Sequence, residues 1–218
     1  MIIELDQPIL AYNDRLAEAN RRLLAENKVC LVDVLASPGA GKTSLILASI
    51  ELLRPRFRIA VIEGDVASDI DAQRVKQAGV PAVQINTGSA CHLEAAMVGR
   101  ALEALPLDEL DLVFVENIGN LVCPTDFDLG SALRVVVLSV PEGDDKPQKY
   151  PGIFGIADAC IVNKLDALPL FDFDLARFTV AVSALAPQAP VFSLSARTGE
   201  GLADWCDWLA KRALDDVG

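Results

Sequence analysis

Seven largely apolar runs read as buried strands: residues 29–35, 58–63, 81–86, 111–116, 134–140, 158–163 and 190–194. Between them the apolar positions recur at helical spacing, which predicts helices near 43–53, 69–78, 91–104, 152–157, 172–185 and 200–214. Ahead of the first strand, residues 7–27 predict a further helix with Ile9, Leu10, Leu16, Leu23 and Leu24 on its apolar side and a charged opposite face. Strands alternating with helices in this way imply an α/β fold, a doubly wound and mainly parallel sheet with helices on both faces. The expected division is an N-terminal helix over 1–27, packed on or extending the rest, and a single domain over 28–218.

In such sheets ligands bind beyond the carboxyl ends of the strands, and the chemistry of this chain collects there. The first strand runs into Ala36-Ser37-Pro38-Gly39-Ala40-Gly41-Lys42-Thr43, with Ser44 opening the next helix. This is a phosphate-binding loop, G-x-x-x-x-G-K-[ST], with alanine in its first position. Backbone N–H groups from Gly39 to Thr43 would face phosphate oxygens at the positive end of the helix dipole. Lys42 would reach the β- and γ-phosphates, and the Thr43 hydroxyl would hold Mg²⁺. Alanine at 36 is acceptable where no positive φ is needed, because Gly39 and Gly41 supply the permissive backbone nearer the phosphates. The predicted ligand is therefore a nucleoside triphosphate.

The other strand ends name the base and the hydrolytic groups. Asn163-Lys164-Leu165-Asp166 fits N-K-x-D after an apolar strand. The Asp166 carboxylate can accept from guanine N1–H and N2–H₂, an edge adenine lacks, so GTP and GDP are expected. The Lys164 stem would lie over the ring and Asn163 would tie the loop to its neighbours, with Ser195, Ala196 and Arg197 completing the base site. Glu116-Asn117-Ile118-Gly119 stands where many GTPases carry D-x-x-G. Glu116 suits a water-mediated Mg²⁺ contact and the Gly119 N–H a γ-phosphate sensor. Asp65 and Asp69 follow the second strand and are candidates for the metal and for the attacking water. No glutamine stands in a water-orienting position, which predicts slow intrinsic turnover.

Composition narrows the setting. The 218 residues suit one α/β domain, and 52% hydrophobic with only 6% aromatic fits an aliphatic parallel-sheet interior. Nineteen basic against 31 acidic residues give a net charge of −12, which disfavours a nucleic-acid partner. No apolar stretch approaches the roughly 18 residues of a membrane span, and the start Met1-Ile2-Ile3-Glu4 has no basic leader, so a soluble, cytoplasmic protein is expected. Five cysteines, an odd number and widely spaced, argue against a disulfide framework. Cys30 and Cys160 read as small buried hydrophobes, and Cys206 has no assigned role. Cys91 and the lone histidine, His92, instead follow the third strand, while Cys123 follows the fourth. Two thiolates and an imidazole suit a borderline-soft ion, Ni²⁺ or Zn²⁺. Three ligands do not close a structural zinc site, so water or a second subunit must complete it.

Taken together these motifs resemble the HypB family, the GTPases that assist nickel insertion into [NiFe]-hydrogenase. The likeness spans about residues 28 to 212. It rests on Gly39-Ala40-Gly41-Lys42-Thr43, Gly64-Asp65-Val66, Ile85-Asn86-Thr87-Gly88, Cys91-His92-Leu93 and Glu116 through Pro124. It continues in Asp126-Phe127-Asp128-Leu129-Gly130, Glu142-Gly143-Asp144-Asp145, Lys149-Tyr150-Pro151-Gly152 and Asn163-Lys164-Leu165-Asp166. The resemblance implies a GTP-dependent homodimer, a metal site of Cys91, His92 and Cys123 at its interface, and Lys149 approaching nucleotide across the dimer. It further implies delivery to a hydrogenase large-subunit precursor alongside a zinc-containing maturation partner. Residues 1–28 carry neither the cysteine motif nor the histidine-rich tract with which some members store nickel, pointing to transfer without storage. Leu93-Glu94-Ala95-Ala96 lacks the further histidine of some members, which weakens a second metal centre. Two other readings stand beside this one. The urease-maturation GTPase is disfavoured because its Cys-Pro-His motif is absent, and a regulatory switch would make the thiols and imidazole structural.

Overall fold

The computed structural model describes residues 7–65, 78–88 and 90–216, with backbone only at 7, 8 and 65. Its strands are β1 (Cys30–Ala36), β2 (Ile59–Asp65), β3 (Ala82–Asn86), β4 (Leu112–Glu116), β5 (Leu133–Ser139), β6 (Ala159–Asn163) and β7 (Val191–Ser193). They form one sheet in the order β3-β2-β4-β1-β5-β6-β7, with every adjacent pair parallel. Each of the seven expected strands is present within two residues of its predicted limits.

Around the sheet lie α1 (Gln7–Asn27), α2 (Lys42–Leu53), α3 (Ala95–Glu103), α4 (Lys146–Lys149), α5 (Pro151–Gly155), α6 (Leu175–Leu185) and α7 (Leu202–Asp216). The helix expected over 69–78 lies, apart from Ala78, outside the described residues. Strand periodicity sorts the core into layers. Cys30, Val32, Val34 and Ala36 of β1 face α2 and α7. Leu31 faces the opposite layer with α1 and α3, whereas Leu35 faces the part of that layer built by α5 and α6. Helices therefore cover both faces. Asp33 shares the side of Leu31 and Leu35, a buried carboxyl in an otherwise aliphatic strand.

Three helices depart from their expected form. In α1 the buried stripe is Asn13, Ala17, Asn20 and Leu24, whereas Ile9 is 57% exposed. The reason is close approach. Asn20 Nδ2 donates to the carbonyls of Ala95 (2.9 Å) and Leu129 (3.0 Å), and a Cβ at Gly99 would lie 2.7 Å from Asn20 Oδ1. Small and hydrogen-bonding residues seat this helix where bulky ones would hold it off. The expected helix over 91–104 begins only at Ala95, because Glu94 is extended (φ −110°, ψ 156°), which leaves Cys91 and His92 in a loop. That over 172–185 begins at Leu175, where the Asp174 carboxylate caps the Arg177 N–H at 2.9 Å.

On the α2 side, Trp205 is 1% exposed and its Nε1–H donates to Ser49 Oγ at 3.0 Å. This bond and the surrounding apolar layer join the last helix to the one that follows the phosphate loop. Trp205→Ala is expected to destabilise the fold by about 3–5 kcal/mol, read as a lower denaturant midpoint with little change in slope. An effect below about 1 kcal/mol would show that α7 is dispensable to the core. Among the described residues no helix is long and apolar enough to cross a membrane.

Candidate functional site

The loop between β1 and α2 has the backbone its sequence demands. Gly39 (φ 78°) and Gly41 (φ 95°) are left-handed, while Ala36 closes β1 without a positive φ. Alanine thus stands in the motif's first position without strain. Lys42, 8% exposed, and Thr43 open α2, followed by Ser44. The helix N-terminus and the loop's N–H groups make a cradle for an anion, with Pro38 exposed at its rim and Ala40 buried beneath it in the core.

Two neighbouring strand ends close on that loop. Asn163 Nδ2 donates to Ala40 O at 3.0 Å, and its Oδ1 accepts from the N–H groups of Lys164 (2.8 Å) and Ala196 (3.1 Å). Lys164, itself left-handed at φ 60°, reaches back so that Nζ donates to Gly39 O at 2.7 Å. A Cβ on Gly41 would sit 2.6 Å from Asn163 Nδ2, so glycine is required there by space as well as by φ. Beyond them Ser195 Oγ donates to Asp166 Oδ1 at 2.6 Å, and Arg197 Nη1 lies 3.9 Å from Asp166 Oδ2. These bonds fix the Asp166 carboxylate at the carboxyl end of β6, beside the Ser195–Arg197 turn.

On the other flank, the end of β4 meets the phosphate loop. Thr43 Oγ1 donates to Glu116 Oε1 at 2.9 Å, which puts a hydroxyl and a carboxylate together in a buried setting. That donor set fits Mg²⁺, a hard cation that takes oxygen ligands. Gly119 is pressed on Pro38, where a Cβ would come within 2.8 Å of the proline nitrogen. Asp65 ends β2 opposite Asn86. Asp69 lies outside the described residues. Lys149 pairs with Asp145, the N-cap residue of its short helix, a contact that holds its ammonium above the usual lysine range.

A second cluster lies further along the same edge. One donor atom each from Cys91, His92 and Cys123 falls within 4.8 Å of the others. Cys91 Sγ is 3.5 Å from His92 Nδ1. The imidazole stacks on Phe127 with ring centroids 3.8 Å apart, and its Nε2 lies 4.0 Å from Glu94 Oε1. Burial holds the His92 pKa below its ordinary value despite the Glu94 charge, favouring the neutral, ligating form. A hydrogen bond with Cys123 holds the Cys91 thiol up. The remaining cysteines differ: burial pushes Cys30 and Cys160 to about 12 and Cys206 to about 11, the behaviour of inert core thiols.

With this geometry in view, comparison with known proteins is decisive. Residues 31–193 match the CobW/HypB/UreG nucleotide-binding domain. The sequence is 48% identical to the hydrogenase maturation factor HypB of Azotobacter vinelandii over 211 residues, covering 97% of this chain and 70% of that protein. The chain belongs to the HypB family. HypB from Helicobacter pylori, solved in complex with nickel, matches with a TM-score of 0.90 at 37% identity, covering 94% of this chain and 97% of that one. HypB from Archaeoglobus fulgidus matches at 0.87 and 38% identity, with coverage of 93% and 99%. The fold is thus that of a HypB-type P-loop nucleotide-binding domain.

Several site residues escaped the sequence reading. Ser37 Oγ donates to Glu142 Oε1, and the other Glu142 oxygen accepts from Ser139 N–H (2.7 Å) and Oγ (2.6 Å), which ties the phosphate loop to the end of β5. Asn117 Nδ2 donates to Asp33 Oδ1 at 3.0 Å, while its Oδ1 accepts from the N–H groups of Ile118 (2.9 Å) and Leu93 (3.3 Å). Asn120 Oδ1 accepts from Val122 N–H at 2.8 Å, a local turn whose one sequence signal is an Asn three residues ahead of Cys-Pro.

Asp33 also gives this HypB-family fold a pH signature. Burial pushes its carboxyl up to about 7, against the Asn117 bond and the Arg134 charge. Between the ordinary 3.8 and about 7, the native chain holds a proton that the unfolded chain has released. Stability therefore falls as pH rises through that window, by up to about 1.4 kcal/mol per pH unit, and is flat in this respect above it. Asp33→Asn should remove this component. Denaturant midpoints of both proteins at several pH values test it, and a pH-independent difference between them refutes it.

Proposed function

We propose that this chain is a GTP-hydrolysing metallochaperone that assists nickel insertion into [NiFe]-hydrogenase. Its catalysed reaction is GTP and water to GDP and phosphate. Lys42 stabilises charge on the β- and γ-phosphate oxygens; Thr43 and Glu116, with Asp65, would hold Mg²⁺; Asp65 and Asp69 are candidates to position the attacking water. Asn163, Lys164 and Asp166, with Ser195, Ala196 and Arg197, select guanine. Pro38 to Ser44 and Gly119 bind the phosphates. Nickel is cargo, carried by Cys91, His92 and Cys123, with Zn²⁺ the competing ion for the same ligands.

The observation that carries the reading is the closeness of Cys91, His92 and Cys123 on the edge that also bears the phosphate loop. The nickel complex of the Helicobacter pylori relative supports the metal assignment. An open three-ligand site suits release, and completion by a second subunit would link metal binding to a GTP-dependent homodimer, with Lys149 turned towards the partner's nucleotide. The downstream acceptor would be a hydrogenase large-subunit precursor, with a zinc-containing maturation protein as co-partner, in the cytoplasm. Residues 28–218 then form the nucleotide domain and α1 its N-terminal extension.

Sedimentation velocity with GDP or a non-hydrolysable GTP analogue, each with and without one equivalent of Ni²⁺, tests this. An analogue-dependent dimer that binds Ni²⁺, and that no longer does so in Cys123→Ala, is the expected result. A nucleotide-binding monomer that takes no metal in any state would leave an ordinary switch.

A further inference from the structure

One stretch of chain, Glu116 to Cys123, touches both ends of the proposed mechanism. Glu116 bonds Thr43 of the phosphate loop, and Gly119 is pressed on Pro38 within that loop. Asn117, 1% exposed, is bonded on one side to Asp33 and on the other to the N–H of Leu93, the residue after His92. Leu93 is itself fully buried against Gly64 at the end of β2. Asn117 is therefore an anchor, fixed just beyond the end of β4.

Immediately after Gly119 comes Asn120. Its Nδ2 donates to the Cys91 carbonyl at 3.3 Å, and its Oδ1 accepts from the N–H groups of Val122 (2.8 Å) and Cys123 (3.4 Å). One carboxamide thus spans the backbones of two candidate metal ligands that lie in different loops. Asn120 directly follows the Gly119–Pro38 contact, so a shift of Gly119 would act first on this carboxamide. Behind Gly119 the chain is tied by the Asn117 bonds to Asp33 and Leu93, whereas ahead of it the next bonds are those of Asn120 to Cys91, Val122 and Cys123.

The geometry points to Asn120 as the positioning residue through which nucleotide state at the phosphate loop sets the spacing of the Cys91 and Cys123 ligands. This rests on the reading of the chain as a guanine-nucleotide protein that carries a metal at Cys91, His92 and Cys123. Thermodynamic coupling is reciprocal, so metal at this site must alter nucleotide affinity by the same factor as nucleotide alters metal affinity. Loss of the bridge should remove that factor while leaving each separate site in place.

The test is a competition titration of Ni²⁺ into full-length protein saturated with GDP or with the non-hydrolysable GTP analogue. Its readout is the ratio of the two nickel affinities. Asn120→Ser keeps a hydroxyl acceptor for the local turn but is too short to reach Cys91, and Asn120→Asp keeps the size without the donor. In the wild type the ratio should depart from one by about 5- to 150-fold. In both variants it should collapse to within about 2-fold of one, with nucleotide affinity of the metal-free protein unchanged. A residue that merely stiffens the metal loop would lower nickel affinity equally in both states and leave the ratio intact, which would overturn the assignment. A wild type that binds Ni²⁺ and guanine nucleotide with a ratio of one also overturns it, while the metal-carrying reading survives. A wild type that binds nucleotide but no Ni²⁺ removes that reading and this inference with it.

Discussion

Lys42→Ala is expected to abolish turnover and to weaken GTP binding by about 30-fold to several thousandfold. The estimate follows from the setting of the side chain. Lys42 is a buried residue that opens α2 directly after the left-handed Gly39 and Gly41. Truncating one partner of a buried, hydrogen-bonded charge pair costs about 2–5 kcal/mol. Tenfold in affinity corresponds to about 1.4 kcal/mol, which sets the range. Turnover should suffer more than binding, because charge on the β–γ bridge and leaving oxygens grows in the transition state. The folded state should keep its stability, since the variant removes a buried cation without opening a large apolar cavity. Titration with a fluorescent GTP analogue and a phosphate-release assay read both effects. Affinity within tenfold of the wild type would show that the phosphates are not seated on this loop.

Cys123→Ala is expected to weaken Ni²⁺ and Zn²⁺ binding by at least about 100-fold. Even removal of outer-shell partners of a metal site costs about 10- to 100-fold, and Cys123 supplies one of three candidate donor atoms outright. His92 cannot compensate, because its ring is clamped on Phe127 and Cys91 Sγ is already beside Nδ1. Guanine-nucleotide affinity in the absence of metal should stay within about 2-fold, since the Thr43–Glu116 and Asn163–Ala40 bonds do not involve Cys123. Competition against a chromophoric chelator gives the metal affinity, and the same preparation gives the nucleotide affinity. Unchanged metal binding would place the metal elsewhere and leave the cluster as structural thiols. Loss of both affinities would mean that the substitution collapses the β4 edge.

Much of this molecule is legible in one dimension because its chemistry is encoded at short spacing. The apolar runs marked the seven described strands; β1, covered on both faces, is apolar but for Asp33, whereas the edge strand β3 carries exposed Gln84 and Asn86. Gly39, Gly41, Lys42 and Thr43 lie within one turn of chain, so their spacing alone specifies a phosphate cradle. Asn163, Lys164 and Asp166 are equally local. Cys91 and His92 are neighbours, and placing them and Cys123 after successive predicted strands was enough to suggest that they meet.

Bonds between distant segments were decided by the sheet order and register. Asn117 meets Asp33 across 84 residues of chain because β4 pairs with β1, and Asn163 meets Ala40 across 123 because β6 ends beside the phosphate loop. The helix expected from Cys91 starts instead at Ala95, because the extended Glu94 and the Asn117–Leu93 bond hold the Cys91-His92 loop out of helical geometry. The apolar list for α1 missed Asn13 and Asn20, whose burial depends on carbonyls supplied by Asp128, Ala95 and Leu129. A polar side chain announces such a role only when its partner is known, and the partner is set by the fold. The sequence by itself therefore determined the strand-and-helix alternation, the glycine-rich loop after β1 and the candidate ligands. Tertiary structure alone decided which buried polar groups join them, because hydrogen bonds depend on ångström distances that residue spacing does not carry.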